Sequence, residues 1–198
     1  MKKPFKRLTV SSLYARFCYD HAIALTFRSS HGQMVAPNRT VQIQVVTCDN
    51  CDDALTYEPR EKVDVFHQFL DRGDIGFYAY LAGQFVHRSW VTLGPKTVSR
   101  WKRYAPLELK KGEAYIHWCE TVPSARGLGV YPTVLNHIVG VLSDRAREFY
   151  ISTTGDNAAS RNGIKKAGFS LISGCEVTAF LGLGVVRPLG KETLSEYR

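Results

Sequence analysis

The chain has 198 residues, of which 44% are apolar and 12% aromatic, and its formal net charge is +8. This length and apolar content predict one compact domain with a buried core, covering residues 1–198. No apolar run reaches the roughly 20 residues of a membrane-spanning helix, and no apolar segment follows the basic residues 1–7 as in a signal peptide. We therefore expect a cytoplasmic protein without a membrane span, and the basic charge indicates an anionic partner.

The cysteines are five in number, which is more typical of reduced thiols than of a disulfide framework. Cys48 and Cys51 have the spacing of a metal-ligating or redox pair, but no second Cys/His pair follows at zinc-finger spacing. Asp49 and Asn50 between them are turn residues, so a structural turn is the simpler interpretation. We assign no metal from the sequence, and a metal or redox role for this pair stays open.

Hydrophobic periodicity divides the first half of the chain into alternating elements. It predicts, in chain order, a helix within 8–20, strands at 21–27 and 41–46 with a loop at 29–32, a helix at 58–70, a hairpin of strands at 75–81 and 85–93, and a long loop from 95 to 111. Residues 100–104 of that loop alternate cations with aromatic rings, as single-stranded nucleic-acid sites do. A solvated loop with Trp101 packed on the domain is the simpler interpretation, so a nucleic-acid partner is not favoured.

The second half contains a strand, a glycine turn and a helix in succession. A strand of aromatic and β-branched residues at 114–122 leads into a turn at 126–129, whose sequence is Arg-Gly-Leu-Gly. Apolar residues then recur at helical spacing, at Val130, Val134, Leu135, Ile138, Val139 and Leu142. Glycines let the backbone approach a ligand closely, and the N–H groups at a helix start favour an anion. This unit is typical of a pyrophosphate-binding turn, although a glycine pair alone more often marks an ordinary tight turn.

A second segment strengthens this interpretation. It consists of a buried strand at 148–154, the sequence Asn157-Ala-Ala-Ser160, a helix that runs to Lys166, and the pair Gly168-Phe169. Together with the glycine turn, it resembles the GCN5-related N-acetyltransferase superfamily, whose pattern is an Arg/Gln-x-x-Gly-x-Gly/Ala turn and a later Asn-x-x-Ser and Gly-Phe. The resemblance covers residues 112–183, the acyl-CoA-binding part, whereas residues 1–74 form a divergent N-terminal part.

The resemblance implies an α/β fold with a central, mostly antiparallel sheet that is splayed between the family's fourth and fifth strands and flanked by helices. Those strands fall at 114–122 and 148–154 in this chain. It also implies acetyl-CoA or another short acyl-CoA as co-substrate, whose three phosphates suit the basic charge. The residues that the motifs place against this co-substrate are Glu120, Thr121, Val122, Arg126, Gly127, Leu128, Gly129, Val130, Tyr131, Asn157 and Ser160.

The implied reaction is direct transfer of the acyl group from the thioester to an amine. It needs a base for the ammonium, hydrogen-bond donors for the thioester oxygen and a proton for the departing sulfur. The expected donors are backbone N–H groups near residues 120–122. Strand alternation places Glu113, Tyr115, His117 and Cys119 on one face, and Ile116, Trp118 and Glu120 on the other.

His117, Glu120 and Glu113 are the candidates for the general base. The imidazole titrates nearest neutral pH, and a carboxylate serves if burial raises its pKa. A buried structural histidine is the alternative interpretation of His117, and His87 on the neighbouring strand is a candidate for the acceptor pocket. Cys119 as a covalent nucleophile is the outside alternative, because the family transfers the acyl group directly.

The general acid is where the chain departs from the family pattern. Many relatives carry a tyrosine four residues before the Gly-Phe pair, and that position is Ile164 here. Tyr150, Tyr131 and Ser160 remain as candidates. Tyr131 occupies the last position of the turn motif, where Gly or Ala is usual, and we expect it to lie beside the pyrophosphate, too far from the sulfur.

The sequence therefore predicts an acyl-CoA-dependent N-acyltransferase, most simply an N-acetyltransferase, that acts on a small amine or an amino-sugar-type acceptor. The small acceptor is favoured because the sequence shows no appended recognition domain. A protein or tRNA acetyltransferase stays open, and so does a non-catalytic acyl-CoA-binding module, because Ile164 replaces the usual acid. A homodimer is compatible with the sequence but is not indicated by it.

Overall fold

A computed structural model describes residues 20–30, 40–99, 105–180 and 183–197. Its strands are β1 (Asp20–Ser30), β2 (Gln42–Val45), β3 (Ile75–Leu81), β4 (Gln84–Leu93), β5 (Lys96–Ser99), β6 (Pro106–Leu109), β7 (Glu113–Thr121), β8 (Glu148–Thr154), β9 (Ser170–Phe180) and β10 (Leu183–Pro188). Its α-helices are α1 (Arg60–Asp71), α2 (Val130–Val141), α3 (Ala158–Lys166) and α4 (Lys191–Ser195), and 3₁₀ helices cover Cys51–Thr56 and Pro123–Ala125. None of the helices in these ranges is long and apolar enough to cross a membrane.

The strands of the described residues form one large sheet and one small one. The large sheet has eight strands in the order β10-β9-β1-β8-β7-β4-β3-β2, and β5 pairs with β6 in the small sheet. Within the large sheet, β7 and β8 are parallel and all other neighbours are antiparallel. This mixed, mostly antiparallel sheet with flanking helices confirms the predicted fold class.

The pairing between β7 and β8 covers only the first half of β7. Residues 113–116 of β7 lie in register with residues 148–151 of β8. From His117 to Thr121, β4 is the only strand of the described ranges that pairs with β7, while β8 continues to Thr154 beside β1. The sheet is therefore splayed between the two predicted strands, and the gap opens near its middle.

The sheet carries a separate hydrophobic cluster on each face, because side chains along β3 alternate between them, with Phe77 in one cluster and Tyr78 in the other. α2 covers the first face, and all six apolar residues that the helical spacing predicted, five in α2 and Leu142 directly after it, are at most 4% exposed. α1 covers the second face and packs Phe66 and Phe69 against Trp90 of β4. Both layers hold β4 and β7 in place next to the gap.

Most predicted elements are confirmed, including the strands at 21–27, 41–46, 75–81 and 85–93 and the helix at 58–70. Two predictions are wrong. The segment from 95 to 111 contains β5 and β6, because strand pairing overrides its polar composition. Ser29 and Ser30 belong to β1, where pairing with β8 extends the strand into the predicted loop. Residues 100–104 and the predicted helix up to residue 19 lie outside the described residues.

Cys48 lies in a turn after β2, and Cys51 is the first residue of the 3₁₀ helix that follows, which agrees with the structural turn of the simpler interpretation. The Asn50 side chain closes the turn by accepting the N–H of Thr47 at 2.8 Å. Cys51 is buried, and its carbonyl accepts the Tyr78 hydroxyl at 3.1 Å. Among the described residues, no three His, Cys, Asp or Glu side chains lie together as ligands of a metal ion.

Candidate active site

The turn between β7 and α2 has the backbone of an anion-binding site. Gly127 and Gly129 have φ angles of +80° and +76°, which cost other residues about 1–2 kcal/mol. A Cβ atom at either position would meet no heavy atom within 4 Å, so the turn faces open space. α2 begins at Val130, and Pro132 has no N–H group, so the amides of Val130 and Tyr131 are the ones that the helix start leaves for a ligand.

A cavity of about 620 Å³ extends from this turn, and we call it the larger cavity. Arg126 and Lys166 border it with their cationic side chains. Asn157 also borders it and caps α3 by accepting the N–H of Ser160 at 3.0 Å. Two helix N-termini and two cations thus surround one cavity, which is a favourable setting for phosphate groups.

Most of the predicted cofactor-binding residues line the larger cavity. Those that do are Glu120, Thr121, Arg126, Gly127, Gly129, Val130, Tyr131, Asn157 and Ser160. Val122 and Leu128 are not among its lining residues. Val122 is buried, whereas 54% of the surface of Leu128 is exposed. The turn motif therefore located the cavity but not the direction of every side chain.

A second cavity of about 280 Å³ occupies the gap between β7 and β8, and we call it the smaller cavity. Ile116 and Ile151 provide apolar walls where the two strands separate. The open half of β7 contributes His117 and Trp118, and the end of β8 contributes the hydroxyl-bearing residues 152–154. The smaller cavity is therefore largely polar along one side, as a site for a hydroxylated ligand would be.

The two cavities meet at four residues that line both, namely Cys119, Tyr131, Asn157 and Ser160. The Tyr131 ring lies 5.5 Å from the His87 ring, centroid to centroid, and its hydroxyl faces the Cys119 thiol and the Ser160 hydroxyl. This placement corrects the expectation that Tyr131 stays beside the pyrophosphate, because the ring reaches from the first turn of α2 to the junction of the cavities.

The open half of β7 begins with a β-bulge at Trp118. Its φ angle of +50° is unusual for a bulky residue. The pairing with β4 skips a residue there, because Trp90 lies opposite His117 whereas Arg88 lies opposite Glu120. Two residues of β7 therefore face one residue of β4, and the alternation of side chains along the strand is interrupted.

The bulge changes which residues share a face. His117 and Trp118 both pack edge-on against the same phenylalanine of α1, while the Cys119 thiol points to the opposite face, towards the start of α2. Glu120 returns to the side of α1, where a tyrosine hydroxyl donates to it at 3.1 Å. The prediction that His117 and Cys119 face away from Trp118 and Glu120 is therefore wrong, because alternation assumes an unbroken strand.

His117 is held by a buried carboxylate. Its Nε2 lies 3.4 Å from Oδ2 of Asp74 and 3.1 Å from the Thr92 hydroxyl, which itself donates to Oδ1 of Asp74 at 2.9 Å. Arg72 also donates to Asp74, through Nε at 2.7 Å. Because the Thr92 hydroxyl donates its proton to Asp74, its oxygen can only accept a hydrogen bond from His117. The Thr92 oxygen and the Asp74 carboxylate therefore favour the tautomer of His117 that carries its proton on Nε2. Among the described residues Nδ1 has no hydrogen-bond partner, so its lone pair is available for a proton.

The electrostatics of this pair suit a neutral base next to a permanent carboxylate. Burial lowers the pKa of His117 below its usual value of 6.5, and Asp74 offsets only part of that effect. Burial opposes ionisation of Asp74, but hydrogen bonds from His117 and Arg72 outweigh it and lower the pKa of the carboxyl group. At neutral pH His117 is therefore uncharged, and Asp74 is ready to stabilise an imidazolium.

Glu120 is bound to a buried cation. Arg88 donates from Nη2 to Glu120 at 3.0 Å, and from Nε to Glu58 at 2.6 Å. Its Nη1 donates to the carbonyl of Trp118. Arg88 therefore links the bulge and Glu120 to the segment before α1. Because the Glu120 carboxylate is already bonded to this cation, Glu120 is less suited than His117 to take a proton from a substrate.

The backbone N–H of Val122 is already used, since it donates to the carbonyl of Val86 at 2.9 Å. This corrects the prediction that Val122 polarises a thioester. Alternate amides of an antiparallel strand point to opposite sides, so the N–H and carbonyl of Thr121 point away from β4, towards the gap. Arg126 donates from Nε to that carbonyl at 3.1 Å, in agreement with this direction. Thr121 therefore presents its N–H at the gap.

His87 is fully buried and lines the larger cavity, but it does not line the smaller one. Its ring nitrogens lie 2.7 Å from the Thr121 hydroxyl and 2.8 Å from the Ser89 hydroxyl. Burial lowers the pKa of His87 to about 3, so the ring is neutral. The prediction that His87 lines the acceptor pocket is not supported, because β4 turns this residue towards α2.

Glu113 and Tyr150 lie at the paired end of β7 and β8, outside both cavities. Glu113 accepts the N–H of Lys110 at 2.8 Å. The Tyr150 hydroxyl donates to Glu148 at 2.5 Å, and burial raises the pKa of Tyr150 to about 12. The structure therefore does not support Glu113 as a base or Tyr150 as an acid.

Several residues of the site were missed by sequence reasoning. Asp74 was not among the candidates, because nothing near it in the sequence signals its pairing with His117. Arg88 lies within an alternating strand and carries no local motif. The hydroxyls of residues 152–154 belong to the end of the strand at 148–154, and their polar character at the splayed end of that strand was the signal that could have identified them.

The fold is similar to those of solved acetyltransferases. A GNAT-family acetyltransferase from Colwellia psychrerythraea covers 81% of this chain with a TM-score of 0.60 and 15% identity. A GCN5-related N-acetyltransferase-like protein from Streptococcus suis covers 86% with a TM-score of 0.57 and 14% identity. A GCN5-related glucosamine N-acetyltransferase region of a fungal multi-domain GH3 β-N-acetylglucosaminidase covers 86% with a TM-score of 0.61 and 9% identity.

These similarities show that the chain has the fold of the GCN5-related N-acetyltransferases, as its motifs predicted. The chain matches 56% of the length of the Colwellia protein, 66% of the Streptococcus protein and 22% of the fungal enzyme. No protein-family model and no curated protein matches the sequence. The fold is thus shown, and the activity rests on the geometry of the site.

Proposed function

We propose that the chain is an acyl-CoA-dependent N-acyltransferase, which transfers an acetyl or other short acyl group directly to the amine of a small acceptor of the amino-sugar type. The observation that carries the proposal is the meeting of two cavities where β7 and β8 separate. One cavity begins at an anion-binding turn and the other contains a neutral histidine. A phosphorylated thioester and an amine can therefore reach one point from opposite sides.

The larger cavity suits coenzyme A. The amides of Val130 and Tyr131 and the Arg126 side chain are available for the pyrophosphate, and Asn157 lies along the path to the junction. The cavity volume of about 620 Å³ is within the usual range for a small-molecule site. The thioester then lies at the junction, where Thr121 presents its N–H to the carbonyl oxygen. One such donor contributes about 10²- to 10³-fold to kcat.

His117 is the general base of this proposal. Its neutral imidazole accepts the proton of the acceptor ammonium at Nδ1, directly or through one water molecule, and Asp74 stabilises the resulting imidazolium from Nε2. The amine nitrogen then attacks the thioester carbon. Correctly placed acid–base groups contribute about 10²- to 10⁴-fold to such reactions.

The smaller cavity favours a small hydroxylated acceptor. Ser152, Thr153 and Thr154 provide hydroxyl groups, and Trp118 offers an aromatic surface that is 44% exposed. Hydroxyl groups and an aromatic face match a sugar ring better than a peptide strand. The fungal neighbour is described as a glucosamine N-acetyltransferase region, which supports an amino-sugar acceptor by analogy.

Calorimetric titration with acetyl-CoA tests the binding step. We expect micromolar binding to the wild type and a sharp loss in Gly129→Val, because the β-branched side chain strains the turn and enters the open space of the cavity. Gly83→Val is the matched control, since Gly83 has a similar φ of +78° in the β3–β4 turn, away from both cavities. Absence of binding to any acyl-CoA contradicts the proposal.

Release of free thiol from acetyl-CoA tests the transfer step. The acceptor panel contains amino sugars, nucleotide-linked amino sugars, polyamines, peptides and tRNA. Release with an amino sugar or another small amine supports the proposal. Release only with peptides or tRNA indicates a macromolecular acceptor, and binding without release indicates an acyl-CoA-binding module.

A further inference from the structure

α3 does not supply the phenol that a departing thiolate uses in the resembling family. Ile164 occupies that position, is 0% exposed and belongs to the main hydrophobic cluster. The sequence of α3 contains no tyrosine. A proton donor for the sulfur must therefore come from another element or from water.

Tyr131 reaches the junction from a different helix. It lies in the first turn of α2, borders both cavities and faces Cys119 and Ser160 with its hydroxyl. Cys119 and Ser160 themselves border both cavities. A thioester that enters from the larger cavity and presents its acyl group to the smaller one has its sulfur at this junction.

A cradle in α3 holds the Tyr131 ring in place. A Cβ atom on Gly163 would lie 2.6 Å from Cδ1 of Tyr131 and 3.1 Å from Cε1. Glycine inside a helix costs about 1 kcal/mol relative to alanine, so its presence there calls for a packing reason. The packing reason is the Tyr131 ring, which occupies the space that a side chain at residue 163 would fill. α3 therefore contacts a tyrosine ring from α2 and does not contribute a tyrosine of its own.

We propose that Tyr131 is the general acid of the transfer reaction, which rests on the proposed N-acyltransferase function. When the carbon–sulfur bond of the tetrahedral intermediate breaks, its electron pair goes to sulfur, and the sulfur takes the proton of the Tyr131 hydroxyl. The nitrogen of the intermediate loses its remaining extra proton to water, so that the products are the neutral amide and the free thiol of coenzyme A. The tyrosinate then regains a proton from water at the mouth of the larger cavity.

The environment of Tyr131 suits this role. Burial raises the pKa of Tyr131 well above its usual value, so the hydroxyl keeps its proton at neutral pH. Burial also raises the pKa of the adjacent Cys119 thiol to about 11. A thiolate released at the same place is destabilised in the same way and takes up a proton more readily than it would in water.

A binding cycle tests the contact between Tyr131 and the sulfur without catalysis. Coenzyme A and desulfo-coenzyme A are titrated into the wild type and Tyr131→Phe by calorimetry at pH 7, where the free thiol of coenzyme A is protonated. We expect the wild type to bind coenzyme A about fivefold more tightly than the desulfo compound, as one hydrogen bond from the Tyr131 hydroxyl to the sulfur predicts. In Tyr131→Phe the two affinities become equal.

Turnover provides the second readout. Tyr131→Phe should reduce kcat with acetyl-CoA by about 10²-fold or more, with little change in KM for acetyl-CoA. The loss should be much smaller with an acetyl thioester of 4-nitrothiophenol, whose thiolate needs no proton. Tyr150→Phe is the matched control and should leave both rates unchanged, because that hydroxyl lies outside both cavities.

The outcomes separate this proposal from the function on which it rests. If Tyr131→Phe binds acetyl-CoA and turns over at the normal rate, the proposed N-acyltransferase function stands, but the proposal that Tyr131 is the general acid is contradicted. Equal affinities for coenzyme A and desulfo-coenzyme A in the wild type overturn it as well. If Tyr131→Phe does not fold, Gly163→Ala replaces it, since its Cβ displaces the ring and should produce the same losses. A wild type that binds neither compound overturns both proposals.

Discussion

The two halves of β7 share β4 as one neighbour and differ in the other. Residues 113–116 pair with β8, and Ala114, Tyr115 and Ile116 are at most 5% exposed. Residues 117–121 pair with no strand of the described residues on that side, and each of them is at least partly exposed. The paired half builds the core of the sheet, whereas the open half borders the cavities. Because β8 does not pair with residues 117–121, their backbone groups and side chains on that side are available to a ligand.

The open half keeps its shape because a buried cation replaces part of the missing pairing. Arg88 donates to the Trp118 carbonyl and to Glu120, and it is fixed in turn by Glu58. The bulge at Trp118 turns Cys119 towards α2 while His117 stays with Asp74. The base and the junction of the cavities therefore lie on two faces of one short segment.

Among substitutions in the open half of β7, we expect the greatest loss of activity at His117. His117→Gln should lower kcat by about 10²- to 10⁴-fold, because glutamine cannot take the ammonium proton. The affinity for acetyl-CoA should stay close to that of the wild type, since His117 borders only the smaller cavity. Glu113→Gln in the paired half is the matched control, and a comparable loss there would contradict the assignment.

The paired half should control stability instead. Ile116→Ala should decrease the free energy of unfolding by about 2–5 kcal/mol, because Ile116 is 1% exposed in the main hydrophobic cluster. Denaturant titration measures this loss. Thr121→Ser, in the open half, is the comparison and should lose less. Equal losses would show that the two halves contribute alike to the core.

The pH dependence reports the pairing of His117 and Asp74. His117 acts as a base only when it is neutral, and its pKa is lowered from 6.5. We therefore expect kcat/KM to have its maximal value at pH 7 and to fall only when the pH decreases below 6.5. Asp74→Asn removes the carboxylate that raises this pKa, so the acidic limb should move to still lower pH and kcat should fall by about tenfold. A limb that moves to higher pH would contradict this pairing.

The smallest effect is expected at Cys119. Burial raises the pKa of this thiol to about 11, so little thiolate is present at neutral pH and covalent transfer is disfavoured. Cys119→Ser should change kcat by much less than the roughly 10²-fold of an acid–base residue. Mass spectrometry after mixing with acetyl-CoA should show no acyl-enzyme, and a stable acetyl group on Cys119 would restore the covalent alternative.

The sequence was sufficient for those parts of the molecule that depend on local pattern. The strand, glycine turn and helix at 114–142 follow from short-range periodicity, and the left-handed conformations of Gly127 and Gly129 follow from the turn. The splay could be located because the resemblance named its two strands. The cavity beside the turn was therefore predictable to within a few side chains.

The remaining parts depend on contacts between distant residues. The bulge at Trp118 is a mismatch of register between β7 and β4, which the sequence of either strand alone does not show. Asp74 meets His117 only after α1 and β4 are packed. The Tyr131 side chain extends to the junction of the cavities only because Gly163, in another helix, leaves space for its ring. Each of these features decides a catalytic assignment, which explains why the fold was predicted better than the chemistry.

A crystal structure of the complex with coenzyme A would show whether a thioester lies where the two halves of β7 meet the two cavities. We expect the pyrophosphate on the amides of Val130 and Tyr131. It also predicts the sulfur within hydrogen-bonding distance of the Tyr131 hydroxyl, beside the Thr121 N–H. Coenzyme A bound elsewhere, or with its sulfur outside the gap between β7 and β8, would contradict the account.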